Sequence, residues 1–277
     1  MSKSTAFHLS ASTLAALEEM LQNAARHIPS DLLPIYFDHE VVGHLHHHFI
    51  SPIQAYLKNK PLPQIQFHSD RLVLLNQTPY ELSQDLRQLA QHLHEVGLIP
   101  TWRKEEFAWY GKDDHEYFRI ERAAFRTFGF CSRAAHINGY TRSGKIWVGR
   151  RSEIKGIDPG LLDNLAAGGV TAGETVRQNA IRELWEEAGI PEHIAQYIQP
   201  QGKLLIKRPN LPHGFHHENL FMFDLQLPEN IVPKNHDGEV SGFIEIDFAE
   251  AAARILADEF TNDAAMVTAD FILRHSH

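Results

Sequence analysis

The stretch from Ala166 to Ile190, AAGGVTAGETVRQNAIRELWEEAGI, sets a glycine-punctuated segment directly before a helix with three glutamates on barely more than one turn. With Ala180 as zero and about 100° per residue, Ala180, Ile181, Leu184 and Ala188 fall in one stripe and should face a core. On the same projection Glu183, Glu186 and Glu187 lie at roughly 300°, 240° and 340°, and all three are expected to project from the other side. Gly189 supplies the stop.

Carboxylates at i and i+4 disfavour an exposed helix by roughly 0.2 to 0.5 kcal/mol per pair, and Arg182, four residues before Glu186, offsets only part of that. A hard divalent cation reverses the sign, because Mg²⁺ takes oxygen ligands and commonly pairs carboxylates with substrate phosphates. The glycines of AAGGVTAGE permit a tight loop whose backbone can approach a metal or phosphate closely. A solvated, glutamate-rich helix is the ordinary explanation of EEAG by itself. The full register decides against it: Gly168, Glu174, Arg182, Glu183, Leu184, Glu186, Glu187, Gly189 and Ile190 match by chance on the order of once in 10⁹ start positions.

These residues reproduce the Nudix box without a deviation, and the chain resembles a Nudix hydrolase. The resemblance implies an α/β fold, an α/β/α sandwich with a mixed sheet, and divalent-metal-dependent hydrolysis of a diphosphate linked to another group. By match to the motif, Glu183, Glu186, Glu187 and the backbone carbonyl of Ala167 are the expected metal ligands for Mg²⁺, with Mn²⁺ as a substitute. Arg182 is expected to orient the glutamates and pair with Glu174, and Gly168, Gly169 and Gly189 are the motif glycines. Glu183 is the expected general base. A later acidic residue is expected to complete the site, Glu239 beside Asp237 in NHDGEVSGF, with Glu218 in HHENLF as its competitor.

The chain has 277 residues, 43% hydrophobic and 22% charged, enough for one large domain or two ordinary ones. A helix over ASTLAALEEMLQNAARHI is followed by Pro29, and SPIQAYLKNKPLPQ reads as a short helix. QIQFHS and RLVLLN read as strands, and TPYELSQDLRQLAQHLHEVGLIP as a helix capped by Thr78, with Gly97 after its end. RAAHINGY, KIWVGRR, GKLLIKR, NLFMFDLQL and VSGFIEIDF follow as strands, and AEAAARILADEF and NDAAMVTADFILRH as closing helices. The division expected is a small α+β domain over residues 1–124 and the catalytic domain over 125–277.

Further segments extend the resemblance to the thiamin pyrophosphokinase-related Nudix family, which carries an extra N-terminal domain: TWRKEEF (101–107), IERAAFRTFGF, HINGY (136–140), GRRSEIK (149–155), PGLLDNLAAGG (159–169), DGEV (237–240) and the terminal DFILRHSH. It implies hydrolysis of thiamin diphosphate analogues, oxidised or damaged forms above all, to monophosphates. Ile157-Asp158 depart from the aromatic expected before the proline. The alternatives are a Nudix hydrolase of nucleotide sugars or ADP-ribose-type dinucleotides, and a Nudix-like sensor that binds without turnover.

Arg150, Arg151, Lys155 and Arg208 lie near strand ends and are candidates for phosphate contacts, although any single one reads more simply as a solvated charge. Trp102, Trp109, His136, Tyr140 and Phe215 could wall a flat heterocycle; each alone reads as core. The tract GHLHHHFI (43–50) looks like a metal tract, but consecutive histidines point in different directions and a structural or surface role is expected. Cys131 is the only cysteine, so no internal disulfide is available. A net charge of −9 argues against nucleic acid or an anionic membrane as partner. A small-molecule diphosphate is the expected partner, a homodimer is compatible with the sequence, and the expected location is cytoplasmic.

Overall fold

The computed structural model describes residues 9–25, 32–75, 78–154, 156–210 and 214–276. Helix α1 (Ala11–Asn23) is capped by Ser10, whose hydroxyl accepts from the Thr13 amide. Strands β1 (Leu33–Phe37) and β2 (Glu40–Leu45), helix α2 (His47–Asn59), strands β3 (Ile65–Phe67) and β4 (Leu72–Leu74) and helix α3 (Pro79–Glu95) follow. The expected stop at Pro29 lies outside the described residues. Thr78 caps α3 by accepting from the Glu81 amide.

The first sheet runs β2-β1-β4-β3, with β1 and β4 parallel. Strands β5 (Glu106–Tyr110) and β6 (Glu116–Glu121) form an antiparallel pair, and helix α4 (Arg122–Phe128) leads onward. These elements share one core, in which Phe49, Phe118, Phe125, Phe128 and Phe130 are fully buried. It is the small α+β region that precedes the larger sheet.

The larger sheet is built from β7 (Ser132–Tyr140), β8 (Ile146–Arg151), β9 (Leu162–Asp163), β10 (Ala166–Gly169), then, after helices α5 (Val176–Ala188) and α6 (Glu192–Ala195), β11 (Gln199–Asn210), β12 (Gly214–Gln226) and β13 (Val240–Ile246). Helices α7 (Phe248–Leu256) and α8 (Asn262–His275) close the chain. The order β11-β12-β7-β8-β13 is mixed: β12 runs parallel to β7, and the other pairings are antiparallel. Side chains alternate across such a strand. Phe223 and Leu225 of β12 therefore pack with Ala180, Leu184 and Ala188 of α5 on one face. Leu220 and Met222 pack with Val267 of α8 on the other. This is an α/β/α sandwich with a mixed sheet.

Helix α1, on the N-terminal side of the division expected at residue 124, packs on α7 and α8, where its Leu17 is fully buried. Residue 124 itself lies inside α4, whose Ala124 and Phe125 belong to the N-terminal core.

Candidate active site

Helix α5 begins with a reciprocal cap: the Thr175 hydroxyl accepts from the Gln178 amide while Gln178 Oε1 accepts from the Thr175 amide. It ends at Gly189, whose φ of 64° is left-handed, with the Ile190 amide reaching back to the Leu184 carbonyl at 2.9 Å. The side of Gly189 that a Cβ would occupy is filled by the Lys234 carbonyl, 2.5 Å from that position.

The segment expected as a loop before the helix is instead a short strand. β10 pairs antiparallel with β7, Ala167 opposite His136 and Gly168 opposite Ala135. The small side chains let it lie directly beneath α5. A Cβ on Gly168 would stand 2.1 Å from Glu183 Oε1, so the carboxylate occupies the space a side chain would need.

The expectation that all three glutamates project away from the core is corrected. Glu183 and Glu187 are 9% and 6% exposed, whereas Glu186 is partly open to solvent. Their helical positions flank the apolar stripe, and β10 extends far enough to cover that flank. The Ala167 amide donates to Glu187 Oε2 at 2.9 Å. Burial, with the negative charges of Glu186 and Glu239 nearby, pushes the Glu183 carboxyl up to about 6 against the opposing pull of Arg182.

Arg182 connects the acids. Its Nε and one terminal nitrogen donate to the two oxygens of Glu174 at 3.0 and 3.2 Å, and its other terminal nitrogen reaches Glu186 at 2.7 Å and Glu183 at 2.9 Å. Burial opposes ionisation of Glu174, but the Arg182 hydrogen bonds and charge hold its carboxyl below the usual range. Asn179 is a buried participant that sequence reasoning missed: its Nδ2 donates to the Gly169 carbonyl at 2.9 Å and to Glu174 at 3.3 Å. The available signal was a poor helix former inside a helix.

The later acidic loop hangs from the end of α5. The Lys234 and His236 amides donate to the Ala188 and Glu186 carbonyls at 2.8 and 3.0 Å, satisfying carbonyls the helix leaves open. Asn235 Oδ1 accepts from the Gly238 amide, and Asp237 Oδ1 from the Glu239 amide, turning the chain back. Carboxylate oxygens of Glu187, Asp237 and Glu239 thereby lie within 4.8 Å of one another. That all-oxygen set fits a hard divalent cation. Asp237 was not among the expected ligands, although its Asn-x-Asp-Gly setting was visible as a turn. Glu218, the competitor to Glu239, lies on the opposite face of the sheet, toward α8.

The candidate phosphate contacts separate. Arg150 is exposed, its guanidinium on the Gly160 carbonyl at 2.7 Å, and the Ser152 amide beside it donates to the Glu239 carbonyl at 2.9 Å. Arg151 is engaged with the Ile157 and Asp158 carbonyls and with Asp163. Arg208 pairs with Asp263 on α8, and Lys155 lies outside the described residues.

The aromatic candidates do not converge. Trp109 stacks on Phe118, Trp102 lies against His94, Tyr140 against Phe271, Phe215 is fully buried, and His136 is buried with Nδ1 2.8 Å from Asn164 Oδ1. In the histidine tract, His44 lies in β2 and His47 opens α2, yet His46 and His48 bring their Nδ1 atoms to 2.5 Å. The change from strand to helix at His46 breaks both side-chain periods and turns the two rings together. No helix of the described residues is long and apolar enough to cross a membrane.

Comparison with known proteins places this geometry. A family profile described as NUDIX domain matches residues 132–271. Nudix hydrolase 24, chloroplastic, of Arabidopsis thaliana is 32% identical over 250 residues, covering 88% of this chain and 68% of that protein. Nudix hydrolase 20, chloroplastic, from the same plant is 32% identical over 256 residues with the same coverages. Among solved structures, DR0079 from Deinococcus radiodurans superposes with a TM-score of 0.49 at 22% identity, over 62% of this chain and all of that one.

Proposed function

The chain belongs to the Nudix family of hydrolases acting on pyrophosphate bonds, and from that premise we propose that it is a Mg²⁺-dependent diphosphatase of thiamin diphosphate analogues, releasing the monophosphate. The observation that carries the chemistry is the convergence of Glu187, Asp237 and Glu239 within 4.8 Å beside the Arg182-braced Glu183.

Nudix hydrolases generally need a divalent metal, typically Mg²⁺. Here Glu183, Glu186, Glu187, Glu239, Asp237 and the Ala167 carbonyl would hold it, and the ion would supply charge neutralisation of the diphosphate and acidify the attacking water. Glu183, its carboxylate kept in place by Arg182, would be the group that accepts the proton of the attacking water. Glu174 fixes the guanidinium at two points, so that the guanidinium in turn fixes Glu183 and Glu186. Of the basic candidates near the end of β8, Arg150 is the exposed one, its guanidinium on the Gly160 carbonyl, and it is the one proposed to meet a phosphate oxygen.

The thiamin assignment rests on the segments TWRKEEF, HINGY, GRRSEIK, PGLLDNLAAGG and DGEV; the relatives, whose similarity spans 88% of the chain, support the pyrophosphate chemistry alone. That span reaches well beyond residues 132–271. In this reading the elements from β1 to α4, which share one core, are the family-specific unit.

The test is a turnover panel at saturating Mg²⁺ comparing kcat/KM for thiamin diphosphate, its oxidised forms, ADP-ribose and nucleotide sugars. Preference for an oxidised thiamin diphosphate, abolished in Glu183→Gln and Glu187→Gln with the fold retained, supports the proposal. Preference for a nucleotide sugar or ADP-ribose refutes the substrate class, and tight binding without turnover refutes catalysis.

A further inference from the structure

On the face of the sheet away from α5, β12 carries His216 and Glu218 two residues apart, both toward α8, and Asp263 stands in the first turn of that helix. His216 is 2% exposed, and its Nε2 is buried with no hydrogen-bond partner among the described residues. Asp263 Oδ2 lies 3.3 Å from that nitrogen and Glu218 Oε2 lies 3.7 Å from it. One ligand atom from each of the three side chains falls within 4.8 Å of the others.

The carboxylates are held from behind. Ser132 Oγ donates to Glu218 Oε1 at 2.6 Å, and an Arg208 nitrogen donates to Asp263 Oδ1 at 2.8 Å. In each acid one oxygen is tied to a neighbour and the second is turned toward His216. This is the arrangement by which outer partners orient metal-binding carboxylates. Each acid thus turns one oxygen toward the imidazole nitrogen at ion-pair distance, and the three ligand atoms converge in a largely buried site.

We propose that His216, Glu218 and Asp263 form a second divalent-cation site, for a zinc-class ion, that ties the start of α8 to β12. Ligands about a four-coordinate ion at about 2.0 to 2.1 Å stand about 3.3 to 3.4 Å apart; the two distances from His216 Nε2, 3.3 and 3.7 Å, already approach that spacing. One imidazole with two carboxylates suits Zn²⁺, whereas Mg²⁺ prefers oxygen alone. This site therefore differs in ion class from the all-oxygen cluster on α5, and it rests on different residues. Its role is structural: the ion adds to the charge that Arg208 already sets against Asp263 and joins His216 to both acids, so its binding stabilises the packing of α8.

The test separates the two clusters. Full-length protein carrying Glu183→Gln and Glu187→Gln, stripped with a chelator, is titrated with Zn²⁺ in competition with a chromophoric chelator while Mg²⁺ is held in excess. Bound metal is counted by elemental analysis after dialysis. The expected result is one Zn²⁺ per chain with a rise in Tm at saturation. Adding His216→Gln is expected to weaken binding by at least about tenfold and abolish the Tm rise, and Asp263→Asn serves the same purpose if His216→Gln does not fold. Absence of Zn²⁺ binding in the Glu183→Gln/Glu187→Gln protein overturns the proposal, as does binding untouched by the folded His216 or Asp263 variant. Loss of the bound Zn²⁺ on His47→Gln/His48→Gln, with His216 intact, assigns the metal to the histidine tract and overturns it as well.

Discussion

Arg182 holds Glu174 by two parallel contacts, Nε to Oε1 at 3.0 Å and a terminal nitrogen to Oε2 at 3.2 Å, eight residues apart in the chain and on opposite sides of the start of α5. The pairing fixes the plane of the guanidinium, so the nitrogen left over addresses Glu183 and Glu186 from one direction. Lysine has a single charged centre and cannot reproduce this. Arg182→Lys is expected to lower kcat by about tenfold and Arg182→Ala by about a hundredfold, in steady-state assays at saturating Mg²⁺. Wild-type kcat in both variants would show that the bracing does not matter to turnover.

Gly168→Ala places a methyl group 2.1 Å from Glu183 Oε1. That position is also within 2.2 Å of Glu183 Cδ and 2.8 Å of its Cγ, so the whole carboxylate must shift. The expected outcome is a loss of about 1 to 3 kcal/mol of stability from overpacking, seen as a lower urea midpoint, together with a fall in kcat larger than the change in KM. Unchanged kcat would remove Glu183 from the chemistry.

The loop acids should show themselves through the metal rather than the substrate. Glu239→Gln and Asp237→Asn each remove a charge from the cluster with Glu187, so each is expected to raise the Mg²⁺ concentration for half-maximal rate by about tenfold. KM for the diphosphate at saturating Mg²⁺ should move much less. A Mg²⁺ dependence identical to wild type in both variants would mean that the cluster does not hold the ion.

Cys131 is half-buried, with its thiol favoured over the thiolate. Burial pushes its thiol up to about 12, with the negative charge of Glu218 adding to the effect. At pH 8 the thiolate fraction is then on the order of 10⁻⁴. Iodoacetamide should label the native protein at least about a hundredfold more slowly than the urea-unfolded chain, followed by intact mass over time. Equal rates would contradict the burial.

His217 gives stability a pH dependence. Burial, reinforced by the charge of Lys207, lowers its imidazole to about 4, against about 6.5 in an unfolded chain. Between those values the unfolded state binds the extra proton and the folded state does not, so unfolding becomes easier as pH falls. The contribution is fully present above about 6.5 and lost progressively toward about 4. Urea midpoints should decline between pH 7 and pH 5 in the wild type and decline less in His217→Gln; parallel declines would assign the effect elsewhere.

Much of the architecture was readable because local signals agree with the tertiary outcome. Thr78, Pro79 and Gly97 bracket α3 in the chain and in space, and RAAHINGY and VSGFIEIDF, read as strands, contain most of β7 and β13. The spacing of Gly168, Glu174, Arg182, Glu183, Glu186 and Glu187 marked the family because each residue answers a constraint within one short strand, the turn after it and one helix. Strand β10 was misjudged for the converse reason: four small residues carry no strand period, and Ala166–Gly169 becomes extended only because β7 offers it a pairing edge.

The sequence by itself determined which side chains could bind a hard cation and how α5 starts and stops, since caps, glycine conformation and carboxylate spacing are properties of neighbours along the chain. Which acids meet was decided only by the tertiary structure. Asp237 and Glu239 join Glu187 because the loop after β12 satisfies the open carbonyls at the end of α5. Glu218 joins His216 and Asp263 because side chains on one strand alternate between faces, which sends it away from α5 toward α8. Distance between residues remote in the chain depends on sheet order and helix docking, and those are settled by the burial of the whole core rather than by any local pattern.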